Sequence, residues 1–590
     1  MQASIHPRIA VIADAHFHDL YGDYGLSGDN GTPHPMAFRR LAETARSTRV
    51  FNESHSALCH TLDDIAARNV KQVVLLGDYS DDGQIATLSA LRRLLDRYST
   101  RFGIRFYATV GNHDIFGPQG RHRSKRFLNK EGGYDVVTSD PGFEDEAAAR
   151  IVVSEGMYCA GYPCGLTALP DLGFFGASTD LHWETPFGDQ IAPESRMYPV
   201  VSHAGKTYGP LMDASYLVEP FAGVWLMMID ANVFRPFTQQ ETACHDGDFA
   251  DSTAAGWNAM LTHKPFILAW MKDVVARAAN QGKHLLAFSH YPVLDPLDGT
   301  RKDELALLGS TGLAQRIPGP AVADAILATG IKVHFSGHLH VNDTARYRTS
   351  DDFIVNISVP SLVAFPGAYK IIGISGARLA VETIEIGDMP LNPDIASLYQ
   401  HEASQSGLKV SRLMRCADYG AFLYEHIGHL VARRHLRREW PNDLASLIHS
   451  LTLADIASLA RASPLKTAQD VLAGLDTLRA QNNTVELARI ELTAGLAEGA
   501  LAEIPALSFL EDWYRLKMGS DIALPRIPVA RLAAYRAVAR LYTHRMPVIS
   551  EGIPGRFAIM FGMFTKYLSG LPSRNFTIDL SNGEVRPIRR

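Results

Sequence analysis

The chain has 590 residues, of which 46% are hydrophobic and 20% charged, and a formal charge of −6 from 57 Lys plus Arg against 63 Asp plus Glu. That balance excludes disordered, collagen-like and coiled-coil chains, and the length predicts more than one domain, because single cores stop growing near roughly 250–300 residues. The mild acidity supplies no general attraction to nucleic acid, and no apolar run approaches the roughly 20 residues of a membrane-spanning helix.

Along the chain, strands are predicted at Arg8–Ala13, Val70–Leu76, Ile104–Val110, Val224–Ile229, His284–Phe288 and Ile331–Phe335, apolar runs that mostly end on a polar cluster. Helical spacing lies between them, as in Ala86–Tyr98, where Leu88, Leu91, Leu94 and Leu95 recur above Arg92, Arg93 and Arg97. This alternation is the pattern of an α/β fold. Between Ile115 and Glu219 the periodicity weakens, which predicts a long irregular insertion. Composition changes at Gly387-Asp388-Met389-Pro390. Beyond it, helices are predicted at Asp418–Trp440, Asp443–Ala462, Thr467–Gln481, Val485–Glu498 and Arg526–Arg545. The expected organisation is a catalytic domain over 1–388, with its insertion at 115–219, and a helical domain over 389–590 acting as a cap or a dimerisation module. Arg433, Arg434, Arg437 and Arg438 read as a solvated helix face. The 5 cysteines form no disulfide framework, though Cys159 and Cys164 remain a candidate pair. No leader pattern precedes the first strand, so the expected compartment is the cytoplasm, or the periplasm if a leader has been removed.

Five short clusters follow strand candidates: Asp14-Ala15-His16, Gly77-Asp78, Gly111-Asn112-His113-Asp114, Ser289-His290 and Gly337-His338-Leu339-His340. Each alone is weak, since Gly-Asp also occurs at Gly22-Asp23, Gly188-Asp189 and Gly387-Asp388. Their joint placement would gather them at the carboxyl edge of one sheet, where open α/β proteins build their sites. Asp14, His16, Asp78, Asn112, His290, His338 and His340 then offer oxygen and nitrogen but no sulfur. Such a set suits Mn, Fe, Co, Ni or Zn and argues against a closed structural zinc site. Two ions about 3.5–4 Å apart form the clamp used in phosphoryl transfer, and a bridging Asp78 would set that spacing.

This order of motifs resembles the calcineurin-like metallophosphoesterase family over roughly residues 8–385. The resemblance implies a four-layer α/β/β/α sandwich and two divalent or mixed-valence metal ions, Mn, Fe or Zn. It makes Asp14, His16, Asp78 and His340 ligands of one metal, and Asp78, Asn112, His290 and His338 ligands of the other. It makes His113 the proton donor to the leaving oxygen and Asp114 the acid that orients it. The implied reaction is in-line hydrolysis of a small-molecule phosphoester, most naturally a phosphodiester. Gly77-Asp78-Tyr79-Ser80-Asp81-Asp82-Gly83 is similar to the serine/threonine phosphatase signature, except that Asp82 stands where that branch places a phosphate-gripping Arg. A protein phosphatase is therefore disfavoured. Continued through Ala90-Leu91-Arg92-Arg93-Leu94-Leu95, the segment instead resembles bacterial members that include class III cyclic-nucleotide phosphodiesterases and glycerophosphodiesterases. Ser289 replaces the first His of their His-His pair.

Alternatives remain beside this reading. A phosphomonoesterase or nucleotidase would be favoured if Arg121, Arg123, Lys125 or Arg126 gripped a dianionic phosphate. A noncatalytic metal or nucleotide sensor is the rival class, although it has no use for a leaving-group acid. His18 and Asp19 are candidates for orienting a ligand, and Asp230 and Asn232 for lining the site. Gly205-Lys206-Thr207 lacks the glycine a phosphate loop needs six residues before the lysine, where Val200 stands. The expected partner is the small-molecule substrate, with no membrane and no nucleic acid, and self-association through the helical domain.

Overall fold

The computed structural model describes residues 8–26, 36–201, 207–237, 248–460, 467–481, 484–545 and 552–588. Two seven-stranded sheets form its centre. In spatial order the first contains Val585–Pro587, Asn575–Asp579, Arg378–Glu385, Ala368–Ser375, Arg8–Ile12, Gln72–Leu76 and Arg105–Thr109. The second contains Asp343–Arg348, Phe353–Ser358, Val333–Ser336, His284–Ser289, Val224–Ile229, Tyr216–Phe221 and His182–Glu184. The strands that carry the chemical motifs run parallel within each sheet.

Side-chain alternation divides the second sheet between two partners. Leu226, Met228, Leu286, Phe288 and Phe335 share a core with Ile9, Val11 and Val74 of the first sheet. Trp225, Met227, Ile229 and Ala287 instead meet Trp257, Ile267, Met271 and Val274 on the helices Gly256–His263 and Pro265–Asn280. Leu58 and Leu62 on Ser54–Ala67, with Leu88 and Leu91 on Ile85–Phe102, close the first sheet's side. The result is the expected α/β sandwich of helix, sheet, sheet and helix. Each such fully buried Leu, Ile or Phe contributes about 1.5–3 kcal/mol relative to exposure.

The segment expected to be irregular holds short strands. Ser124–Leu128, Tyr134–Thr138 and Arg150–Val153 make a three-stranded sheet, and Met197–Val201 pairs with Thr207–Met212. Each is too short for a two-residue period to stand out against the Gly and Pro around it. Cys159 and Cys164 are both free thiols, one buried and one exposed, so they do not pair. Cys244 and the Gly205-Lys206 step lie outside the described residues.

Helices dominate from Pro393–Ser406 to Gly552–Ser569. The helix expected over Asp443–Ala462 is broken at Leu451-Thr452, where Thr452 caps the next one: its hydroxyl accepts from Asp455 N and the Asp455 carboxylate accepts from Thr452 N. Ala462 lies outside the described residues. The tail is not helical. Asn575–Asp579 pairs antiparallel with Arg378–Glu385 and extends the first sheet, with Phe576 and Ile578 turned into the core. The helical region is bound to the sandwich by that pairing, by a continuous core that includes Phe509, Trp513 and Phe561, and by a buried ion pair in which Lys517 Nζ donates to Glu304 at 2.5 Å. Lys517→Met would leave a buried carboxylate without its cation, so urea unfolding should report a loss of about 3–5 kcal/mol. Among the described residues no helix is long and apolar enough to cross a membrane.

Candidate metal centre

The motifs hang from strand ends in both sheets. Asp14 and His16 follow Arg8–Ile12, Asp78 follows Gln72–Leu76, and Asn112, His113 and Asp114 follow Arg105–Thr109. His290 follows His284–Ser289, and His338 and His340 follow Val333–Ser336. The expectation of a single sheet edge is thus corrected: two edges meet, the first supplying Asp14, His16, Asp78 and Asn112 and the second His290, His338 and His340. Glycine makes the approach close enough. A Cβ on Gly111 would lie 2.2 Å from Asp78 Oδ1, and one on Gly337 would lie 2.5 Å from Asp14 Oδ2. Backbone strain gathers here as well, since Asp14, His16, Asp78, His338 and His340 have φ of 50°, 41°, 48°, 71° and 58°. Such conformations cost of order 1–3 kcal/mol each and cluster where function requires them.

Asp14, His16 and His340 bring one ligand atom each within 4.8 Å of the others, as do Asp78, His290 and His338. His16 Nε2 faces His340 Nε2 at 3.2 Å, and His338 Nδ1 faces His290 Nε2 at 3.2 Å. Asp78 joins the two groups, with Oδ2 3.2 Å from His290 Nε2 and 3.8 Å from His16 Nε2. Asn112 Nδ2 donates to Thr253 Oγ1 at 3.2 Å, which fixes the amide and leaves the buried Oδ1 without a partner. His338 Nε2 is likewise buried and unpartnered.

The electrostatics suit cations. Burial holds the His16 and His338 imidazoles well below their ordinary range, hence neutral, as ligands must be. Burial pushes the Asp78 carboxyl up, but the His290 and His113 imidazoles outweigh it and keep the group well below the carboxylate range. Burial also lowers His290, yet Asp78 prevails and raises it to about 9, so this pair retains a proton where a cation would sit. The donor set, the unpartnered buried atoms and the shared carboxylate all fit a pair of metal ions.

His113 stands beside the cluster, its backbone N donating to Asp78 Oδ1 at 2.7 Å. Its ring partner differs from the expected one. Asp114 accepts from Gly111 N, Ser80 N and Ser80 Oγ, each at 2.9 Å, and so holds the two loops together rather than the imidazole. Burial and the nearby Asp78 push its carboxyl up to about 8. The carboxylate on His113 Nδ1 is Asp82. Burial would raise the Asp82 carboxyl, but Lys125, Arg123 and His113 hold it well below its usual range. On the other ring nitrogen, Arg49 Nη1 lies 3.3 Å from His113 Nε2 while Arg49 Nη2 donates to Asp81 Oδ1 at 2.9 Å. Neither Arg49 nor Thr253 belongs to a motif, and no local pattern marks either of them.

Other sequence candidates lie outside the cluster. His18 Nε2 hydrogen-bonds the Ala37 carbonyl at 2.7 Å, and Asp230 takes Tyr162 Oη at 2.8 Å beside Lys264. Asn232 acts indirectly, its Nδ2 donating to Gly111 O at 2.9 Å and so bracing the Asn112 loop. Among the insertion's cations, Arg123 and Lys125 pair with Asp82, Arg126 pairs with Asp145, and Arg121 lies over the Phe116 ring. None of these four lines the cavity above the cluster.

That cavity of about 290 Å³ has Asp78, Asn112, His113, His338 and His340 at one end. The helical region also lines it, through His426, Ile427, Leu430, Arg434, Tyr514 and Lys517.

The family model for calcineurin-like phosphoesterases matches residues 7–191, which include Asp14, His16, Asp78, Asn112 and His113 but not the three later histidines. Comparison with curated proteins found no match. Similar solved structures include a dimetal phosphatase from Danio rerio, at 14% identity and a TM-score of 0.27, covering 64% of this chain and 97% of that one. GAP50, the anchor in the inner membrane complex of Plasmodium, is similar at 10% identity and a TM-score of 0.24, covering 64% and 84%. The phosphopantetheinyl hydrolase of Mycobacterium tuberculosis is similar at 11% identity and a TM-score of 0.21, covering 61% and 91%.

Proposed function

We propose that the chain is a dinuclear metal-dependent phosphoesterase of the calcineurin-like kind, and that it cleaves a phosphodiester. The observation that carries this reading is the shared Asp78, which joins two three-residue clusters with His113 directly beside them. Asp14, His16, Asp78 and His340 would hold one cation, and Asp78, Asn112, His290 and His338 the other. Manganese, iron or zinc at these positions would supply Lewis-acid polarisation of the phosphoryl oxygens and an acidified water.

The chain's own groups supply the rest. Asp82 accepts from His113 Nδ1, which fixes the ring so that Nε2 faces the cavity. That position suits proton delivery to a leaving alkoxide. Arg49, beside Nε2, offers its guanidinium to a phosphate oxygen. The walls of Ala364, Phe365, Ile427 and Leu430 exclude water and leave room for a second ester arm. The helical region thereby acts as a cap.

Diester preference rests on charge. Asp82 replaces a phosphate-gripping Arg, and the insertion's cations are engaged elsewhere. None of the insertion's four cations is therefore placed to grip a dianionic monoester, and a monoanionic diester needs no such grip. With Mn added, bis-p-nitrophenyl phosphate should exceed p-nitrophenyl phosphate in kcat/KM by at least about tenfold, or 1.4 kcal/mol of transition-state binding. Turnover of the monoester alone would return the phosphomonoesterase or nucleotidase reading to first place.

A further inference from the structure

The cavity is lined by more than the metal cluster: two arginines on its wall have no direct carboxylate partner among the described residues. Arg316, at the end of Gly312–Arg316, and Arg434 both line it. Among the described residues neither side chain makes an ion pair or a hydrogen bond, and Arg434 Nε and Nη1 are buried without a partner. The other charges there are matched: Lys517 is bound to Glu304, and Glu439 accepts from His435 Nδ1 at 2.8 Å. Burial draws both free guanidiniums below their ordinary range, which states the cost of leaving them bare.

The backbone has a device that turns Arg434 inward. A single π-helical turn, Val431–His435, interrupts the helix between Tyr419–Leu430 and Leu436–Arg438. A wide turn adds one residue and rotates the downstream side chains by roughly 100°. Arg433, Arg437 and Arg438 accordingly stay exposed, as expected of a solvated face, while Arg434 parts from them into the cavity. Part of the remaining wall is apolar, formed by Leu313, Phe365, Ile427 and Leu430.

We propose that Arg316 and Arg434 form a second anion site. The substrate is then a phosphoester whose remote arm bears a further phosphate-type oxyanion, held by Arg316 and Arg434, while the scissile phosphate lies against Arg49 and His113. Paired guanidiniums present forked donors that match phosphate oxygens. The apolar part of the wall suits an uncharged spacer. This assignment rests on the phosphoesterase reading for which phosphate is cleaved, but the anion site itself can be measured without turnover.

The test is calorimetric titration of the full-length protein, as purified, with α,ω-alkane bisphosphonates of increasing chain length and with the alkylphosphonate of each length. At the best-fitting length, the bisphosphonate should bind at least about tenfold more tightly than its monophosphonate. That ratio should fall towards one in Arg316→Ala and Arg434→Ala. Arg434→Gln, which keeps a polar side chain of similar reach, decides the matter if the alanine variant melts early. Equal affinity of the two ligand series for the wild type, or a ratio that survives every substitution, overturns the proposal. Hydrolysis of bis-p-nitrophenyl phosphate in the same preparations separates the two claims. Bisphosphonate selectivity without hydrolysis sinks the phosphoesterase reading and leaves the anion site standing, and hydrolysis without selectivity does the reverse.

Discussion

Asp78→Asn should lower kcat for bis-p-nitrophenyl phosphate by at least about a thousandfold while the protein remains folded, because it removes the one negative charge common to both proposed cations. Asparagine matches the side chain in size, and its carbonyl oxygen can still accept from His113 N as Asp78 Oδ1 does at 2.7 Å. What it cannot do is neutralise. Asp14 would remain the single carboxylate against two dications and a set of neutral imidazoles, so metal content should fall together with activity. Elemental analysis of protein purified without chelator, with circular dichroism as the control for folding, checks both parts. Full occupancy with unchanged turnover would end the dinuclear reading and restore a noncatalytic role.

The second large effect concerns His113, and its signature is dependence on the leaving group. A positioned acid contributes about 10²–10⁴ in rate when the departing oxygen is a poor leaving group. His113→Ala should therefore lose that much with a dialkyl phosphodiester and much less with bis-p-nitrophenyl phosphate, whose phenolate departs without a proton. Asp82→Asn should show the same dependence at smaller size, since Asp82 acts through the His113 ring. Asp114→Asn should not. Its carboxyl binds Gly111 N and Ser80 N, so its loss loosens the loops and should lower thermal stability and the turnover of both substrates alike. Equal losses with both leaving groups in the His113 variant would remove the acid role.

The contrast between Asp82 and Asp114 shows where reading by neighbourhood fails. Asp114 adjoins His113 in the chain, and adjacency suggests partnership. The turn after Arg105–Thr109 points the two side chains apart, and the carboxylate that reaches the imidazole comes from the loop after the neighbouring strand. In the sequence, Asp82 registers only as the residue that displaces an arginine. The guanidinium beside His113 comes instead from Arg49, ahead of the helix Ser54–Ala67. A charge can be supplied from any element that ends near the site, and one sequence has no means of saying which.

Local chemistry wrote a large part of this molecule. Six strands and the helix Ile85–Phe102 followed from apolar runs and helical spacing. The seven oxygen and nitrogen residues followed from their position after those runs, and the glycines at 77, 111 and 337 sit in the same clusters, where any Cβ would block the close approach. Folding settled everything that depends on elements far apart in the chain. It divided the motifs between two sheets, returned Asn575–Asp579 to the first sheet after a long helical stretch, and let one π turn separate Arg434 from its exposed neighbours. Periodicity and composition are properties of a segment, whereas register, facing and charge pairing are properties of two segments brought together, and only the folded chain states which two.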